Sequence, residues 1–196
     1  KTMVNECSDY ARSGSKNPEP IELNAMLEAI AVLYHHNRNH MSIEMSRDSA
    51  RPHILADGIR LRQLVHNLLK NSLETIGGNG WVKLKTKCVL HFGRACVELS
   101  VEDNGKGIPA DVADKIFEPY VTTKVKGSGL GLAIVKKIVD EHGGAVWVKN
   151  SEQGGARFIV RLPMMSESGE ARVNDDPIGM KYSSINNSSS KKDGVA

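Results

Sequence analysis

Two asparagines, Asn67 and Asn71, stand four residues apart in the run HNLLKNSLETI, a spacing that puts both side chains on one side of a helix. An amide carbonyl is a hard, neutral oxygen ligand suited to Mg²⁺, whose shell is ordinarily completed by water and substrate phosphates. A solvated helix face would carry amides just as well. Further on, Val101-Glu-Asp103-Asn-Gly105-Lys-Gly107-Ile108-Pro109 follows a strand-like run. A carboxylate at Asp103 could accept from an exocyclic amine such as that of adenine, and the glycines let backbone approach a flat ligand closely. An ordinary Asp-Asn-Gly turn has the same spelling. A third segment, IFEPYVTTKVK, sets Phe117 as a hinge or core anchor ahead of Thr122, Thr123, Lys124 and Lys126 on a loop. Hydroxyls and cations there could meet phosphate oxygens on closure, with a plain solvated loop as the alternative. The fourth, Gly127-Ser128-Gly129-Leu130-Gly131-Leu132, opens a helix, where free N–H groups and the helix dipole favour a phosphate. It is neither a dinucleotide fingerprint nor a phosphate loop of the GxxxxGK[ST] type, and the protein-kinase signatures are missing.

The elements that must position these segments follow from periodicity. Leu61, Leu64, Val65, Leu68, Leu69, Leu73 and Ile76 form one apolar face, which predicts a helix from Asp57, as cap, to Ile76, stopped by Gly77-Gly-Asn-Gly80. Strands follow over 81–90 and 95–102, split by a turn at His91-Phe-Gly-Arg94. A short helix is expected over 109–115 and a longer one over 129–142, then strands over 145–150 and 156–162 around the Glu152-Gln-Gly-Gly155 turn. Upstream, a helix capped by Asn24 runs through Met26, Leu27, Ile30, Ala31 and Leu33, with strands over 41–46 and 53–56. Gly14 to Pro20, with two prolines, reads as a break. Helices alternating with antiparallel hairpins point to an α+β fold, a two-layer α/β sandwich, rather than a doubly wound sheet. Its mixed, mostly antiparallel sheet is expected to be covered by helices on one face. Residues 1–13 pattern as the end of a helix, and 164–196, with seven serines and one aromatic, as a disordered tail.

Composition narrows the classes. The 196 residues carry 26 Lys and Arg against 23 Asp and Glu, a net charge of +3, too little for the concentrated basic face of a nucleic-acid binder. Hydrophobic residues make up 40 %, enough for a core, but no apolar run reaches the roughly 18 residues of a membrane span. Three cysteines without a CxxC pair suggest a reducing compartment. The chain opens Lys-Thr and lacks a signal-peptide pattern, so it is expected to be a piece of something longer.

In order and spacing, the four segments resemble the N, G1, F and G2 boxes of the GHKL superfamily: gyrase, the ninety-kilodalton heat-shock chaperone, the mismatch-repair protein MutL and histidine kinases. The resemblance covers about residues 22–162. The wording HNLLKNSLETI, DNGKGIP, FEPYVTTK and GSGLGLAIVKKIVDEHGG is most similar to the catalytic ATP-binding domain of sensor histidine kinases, and among them to the NtrB/NtrY-like nitrogen-regulation group. The resemblance implies the Bergerat ATP-binding fold over 17–163, with 1–16 as the end of a dimerisation and phosphoacceptor hairpin. It implies that Asn71 holds Mg²⁺, with Asn67 supporting the metal or phosphate region, and that Asp103 accepts from the adenine amine, with Gly105, Gly107 and Ile108 around it. Gly127, Ser128, Gly129, Leu130 and Gly131 would shape the phosphate cradle, with Thr123 beside it and Lys124 and Lys126 as contacts for the γ-phosphate.

Two positions qualify that reading. Hydrolytic branches carry a glutamate four residues before the metal-binding asparagine; this chain has Asn67, and an amide cannot take a proton from water. Glu74 stands where many sensor kinases have Lys or Arg, and is not counted in the site. None of the seven histidines is followed by an acidic residue with a proline five positions on, so the phosphoacceptor is expected outside the chain. The implied function is binding of Mg-ATP and transfer of its γ-phosphate to that histidine, then to a response regulator. The implied parent is a homodimer, with a cytoplasmic kinase part and an anchor in the inner membrane as one possibility. An ATPase of the same superfamily, or a nucleotide-responsive module without transfer, are the alternatives.

Overall fold

The computed structural model describes residues 17–35, 41–76, 79–124, 127–152 and 154–165. The expectations for 1–13 and for the tail beyond Met165, and Lys126 itself, lie outside these residues. In chain order the elements are β1 (Glu19–Glu22), α1 (Leu23–His35), β2 (Met41–Ser46), β3 (His53–Ala56), α2 (Gly58–Thr75), β4 (Gly80–His91), β5 (Arg94–Asp103), α3 (Ala110–Ala113), α4 (Gly131–Glu141), β6 (Ala145–Asn150) and β7 (Ala156–Pro163).

Five strands form one sheet in the order β2-β4-β5-β7-β6. Only the β2–β4 pair is parallel; the remaining pairs are antiparallel. The expected mixed, mostly antiparallel sandwich is therefore the observed one. Alternation along the strands sends Val82 and Leu84, Val97, Leu99 and Val101, and Phe158 and Val160 to one face, where all are buried. Leu61, Leu64, Leu68 and Leu69 of α2 and Ile134 and Ile138 of α4 pack against them in one core. The opposite face is closed by charge. Arg157 pairs with Glu102 at 2.7 Å and Arg161 with Glu98 at 2.6 Å, and the Arg161 guanidinium lies 5.0 Å from the Trp147 ring centre.

Asp57 caps α2 as expected, its Oδ1 accepting from the N–H of Ile59 at 3.0 Å and of Arg60 at 3.2 Å. Asn24 does not cap α1. Glu22 does so, accepting from the N–H groups of Asn24 and Ala25, while Asn24 is 5 % exposed and closes a ring inside the fold. Its Nδ2 donates to the Asp48 carbonyl, the Asp48 N–H to Thr86 Oγ1, and the Thr86 hydroxyl to Asn24 Oδ1. A buried amide needs such partners, and these are distant in sequence, which is why the cap reading failed.

The segment ending in Pro20 is not only a break. β1 pairs with β3 in a separate two-stranded antiparallel ribbon, Pro20 opposite Leu55; Pro belongs on edge strands, and such a ribbon has nothing else. The far end of the described chain returns to the same place, where Met165 N–H donates to the His53 carbonyl at 2.8 Å. The helix expected over 109–115 is the single turn Ala110–Ala113. The one expected over 129–142 starts later, at Gly131, because the preceding glycines are drawn into a loop.

Candidate functional site

The second half of α2, the end of β5 and the loops after β5 and before α4 enclose a cavity of about 790 Å³, within the usual range for a small-molecule site. At its inner end stands Asp103, the last residue of β5, 1 % exposed. Its Oδ1 accepts from the N–H of Gly105 at 2.9 Å and of Ala156 at 3.3 Å. Its other oxygen has no hydrogen-bond donor among the described residues, so a ligand amine would find an acceptor there. Ile108, Val112, Ile116 and Phe158 form apolar wall around it. Gly155 makes this end possible. It adopts φ +80°, and a Cβ would fall 1.9 Å from the Asp103 carbonyl oxygen. The loop after β5 is held by Asn150, whose Oδ1 accepts from Ile108 N–H at 2.8 Å and whose Nδ2 donates to the Ile108 carbonyl at 3.0 Å.

The outer end is polar. Asn67, Asn71 and Glu74 lie along one stripe of α2 and all line the cavity. Asn67 Nδ2 is buried without a hydrogen-bond partner among the described residues. Asn71 Oδ1 accepts from the Lys124 ammonium at 3.0 Å, and the same ammonium lies 2.5 Å from Glu74 Oε2. Lys124 comes from the loop between Tyr120 and Gly129, whose ends are joined by Tyr120 N–H donating to the Gly129 carbonyl at 3.0 Å. The approach is so close that a Cβ on Gly129, at φ +70°, would sit 2.5 Å from the Tyr120 carbonyl carbon. Phe117 anchors the loop from below, packed edge-on against Phe158 with ring centres 6.4 Å apart. At the loop's far end Ser128 Oγ accepts from Leu130 N–H, and α4 begins with its free N–H groups near Asn71.

The sequence candidates that fall among the described residues all line this cavity except two. Gly105 sits behind the wall, its N–H on Asp103. Leu130 is 0 % exposed in the core, so its side chain is no ligand contact; it anchors the start of α4. Sequence reasoning passed over Lys70, which lines the cavity, and Asn150, whose partner is 42 residues away. It also set Glu74 aside, although its spacing of three from Asn71 placed it on the same helical stripe.

The residues suit a purine nucleotide and a divalent cation. A buried carboxylate with a free acceptor faces an apolar slot, an orphaned amide N–H of Asn67 lies towards the polar end, and the Asn71 carbonyl oxygen already holds a cation. No cluster of three or more His, Cys, Asp or Glu side chains suited to a metal gathers among the described residues. A cation at Asn71 would thus depend on oxygens from water and phosphate.

Residues 56–166 match the model of a family described as histidine kinase-, DNA gyrase B-, and HSP90-like ATPase. The sensor histidine kinase ZraS of Escherichia coli O157:H7 is 38 % identical over 164 residues, covering 83 % of this chain and 35 % of ZraS. The sensory histidine kinase/phosphatase NtrB of Rhodobacter capsulatus is 40 % identical over 134 residues, covering 64 % of this chain and 38 % of NtrB. The chain thus spans about a third of the length of these curated relatives. Among solved structures, histidine kinase ThkA in complex with the response regulator protein TrrA aligns with a TM-score of 0.68 at 31 % identity, covering 83 % of this chain and 46 % of that one.

Proposed function

Because the chain belongs to the family of histidine kinase-, DNA gyrase B- and HSP90-like ATPases, in its sensor-kinase branch, we propose that it binds Mg-ATP and passes the γ-phosphate to a histidine outside these residues, for onward transfer to a response regulator. The observation that carries the reading is the pairing, within one cavity, of the Asp103 carboxylate at an apolar end with Asn71 and Lys124 at a polar end beside the start of α4. Asp103 would accept from the adenine amine while the Ile108 and Phe158 walls hold the ring. The free N–H groups at the start of α4 and the Lys124 ammonium would take the phosphate oxygens, and Asn71 would supply the metal with its carbonyl oxygen. Mg²⁺, when bound, supplies charge neutralisation for the phosphates. The chain's part in the transfer is positioning and electrostatics rather than proton removal. That fits Asn67, which cannot activate water and so favours transfer over autonomous hydrolysis.

The test is a calorimetric titration with a non-hydrolysable ATP analogue, with and without Mg²⁺, followed by transfer of labelled phosphate to a dimerisation hairpin supplied in trans. One-site binding strengthened by Mg²⁺, with label on the added hairpin, is expected. Failure to bind in a folded sample, or rapid phosphate release without any acceptor, would overturn the reading.

A further inference from the structure

We propose that Glu74 is a positioning residue that makes nucleotide binding here depend on a divalent cation, by holding the Lys124 ammonium on the carbonyl oxygen of Asn71. The inference rests on the nucleotide reading above and adds to it which ionic form of the nucleotide the site accepts. Glu74 and Asn71 share one stripe of α2, and Lys124 reaches both from the loop, its Nζ 3.0 Å from Asn71 Oδ1 and 2.5 Å from Glu74 Oε2. The side chains of Lys124 and Glu74 are 32 % and 40 % exposed, so the pair sits at the mouth of the cavity, where a phosphate would enter.

Asn71 Oδ1 is the hard neutral oxygen of this end, and the Lys124 ammonium bonds it. An ammonium and a divalent cation on the same carbonyl oxygen would repel each other at close range, so they compete for it. A nucleotide arriving without metal carries its full negative charge into a site whose Lys124 is neutralised by Glu74. It must draw Lys124 away from two oxygens, one of them fully charged, and then faces the bared carboxylate. Were Asn71 Oδ1 given to a divalent cation, Lys124 would keep only Glu74, the positive charge lost at Asn71 would be replaced, and the ammonium could turn to phosphate while still paired. Glu74 therefore penalises the free nucleotide more than the metal-bound one. A Lys or Arg at this position would do the reverse, attracting phosphate with or without metal.

The experiment compares the native chain with Glu74→Gln and Glu74→Lys, titrating a non-hydrolysable ATP analogue in excess Mg²⁺ and again in excess chelator. Glu74 is exposed, so both variants should keep the native melting temperature. In Glu74→Gln the affinity gained on adding Mg²⁺ should shrink by about twofold to fivefold, the range expected when a part-exposed ion pair is removed, and it should shrink further in Glu74→Lys. The change should come mainly from tighter binding of the metal-free nucleotide. An unchanged Mg²⁺ gain in Glu74→Gln, with nucleotide still bound, would overturn this inference and leave the nucleotide reading standing. Absence of binding by the native chain under either condition would overturn both.

Discussion

The chemistry of the site is concentrated in single atoms. Asp103 spends one carboxylate oxygen on two backbone N–H groups, at 2.9 and 3.3 Å, and its other oxygen has no donor among the described residues. Asp103→Asn leaves an acceptor for the backbone but turns an amide N–H₂ towards the adenine amine, donor against donor. Nucleotide affinity should fall about tenfold or more, the loss expected for a hydrogen bond to a charged group, with the melting temperature nearly unchanged; calorimetry and a thermal melt on the same sample decide it. At this scale the sequence was informative where a residue's role depends on near neighbours. The Asn67 and Asn71 spacing, the aspartate at the strand end and the lysine after two threonines all come together in one cavity. It misled where the role depends on distant partners. Asn24 has the profile of a helix cap but serves Asp48 and Thr86, and Leu130 sits among the loop glycines but belongs to the core.

Among the elements, α2 and α4 do most of the positioning, and their mutual fixation is electrostatic as well as apolar. Arg60, at the start of α2, is 4 % exposed and bonds Glu141, at the end of α4, through Nε at 3.3 Å and Nη2 at 2.8 Å, with Nη1 on Gln63. His142 continues the link, its Nε2 accepting from Asp57 N–H at 3.1 Å and its Nδ1–H donating to the Ile138 carbonyl. Arg60→Ala removes one partner of a buried pair, which typically costs about 3 to 5 kcal/mol. A lowered urea midpoint should report it, with nucleotide affinity preserved in the fraction that stays folded. The helices and hairpins themselves were legible because their apolar periods are strong. Three features were not. β1 was hidden by Pro18 before it and Pro20 within it, α3 is shorter than its composition suggests, and α4 starts two residues later than its pattern because Gly129 must meet Tyr120 face to face.

For the whole molecule, acid is the revealing perturbation. Burial, together with the nearby Arg62 guanidinium, holds the His66 imidazole below its ordinary value of 6.5, and its Nδ1 lies 3.0 Å from the Tyr34 hydroxyl. The unfolded chain therefore takes up this proton first, and stability should fall as pH drops below 6.5 towards the folded value. His66→Gln should reduce the difference between melting temperatures at pH 7.5 and 5.5; an equal difference in both proteins would show that the loss comes from other groups. No helix among the described residues is long and apolar enough to cross a membrane, and the two-layer architecture follows from alternation that any reading of the strands detects. β3 was expected, but its pairing with β1 in a ribbon was invisible to that reading. Glu19 lies opposite Ala56 at one end of the ribbon, and at its other end the His53 carbonyl receives Met165, so the first and last described segments are both held by it. The Ala56 end of the ribbon runs into the start of α2, whereas Asn71 lies about 20 Å further along the same helix at 1.5 Å per residue. The first and last described residues are thus anchored a helix length away from the polar end of the cavity.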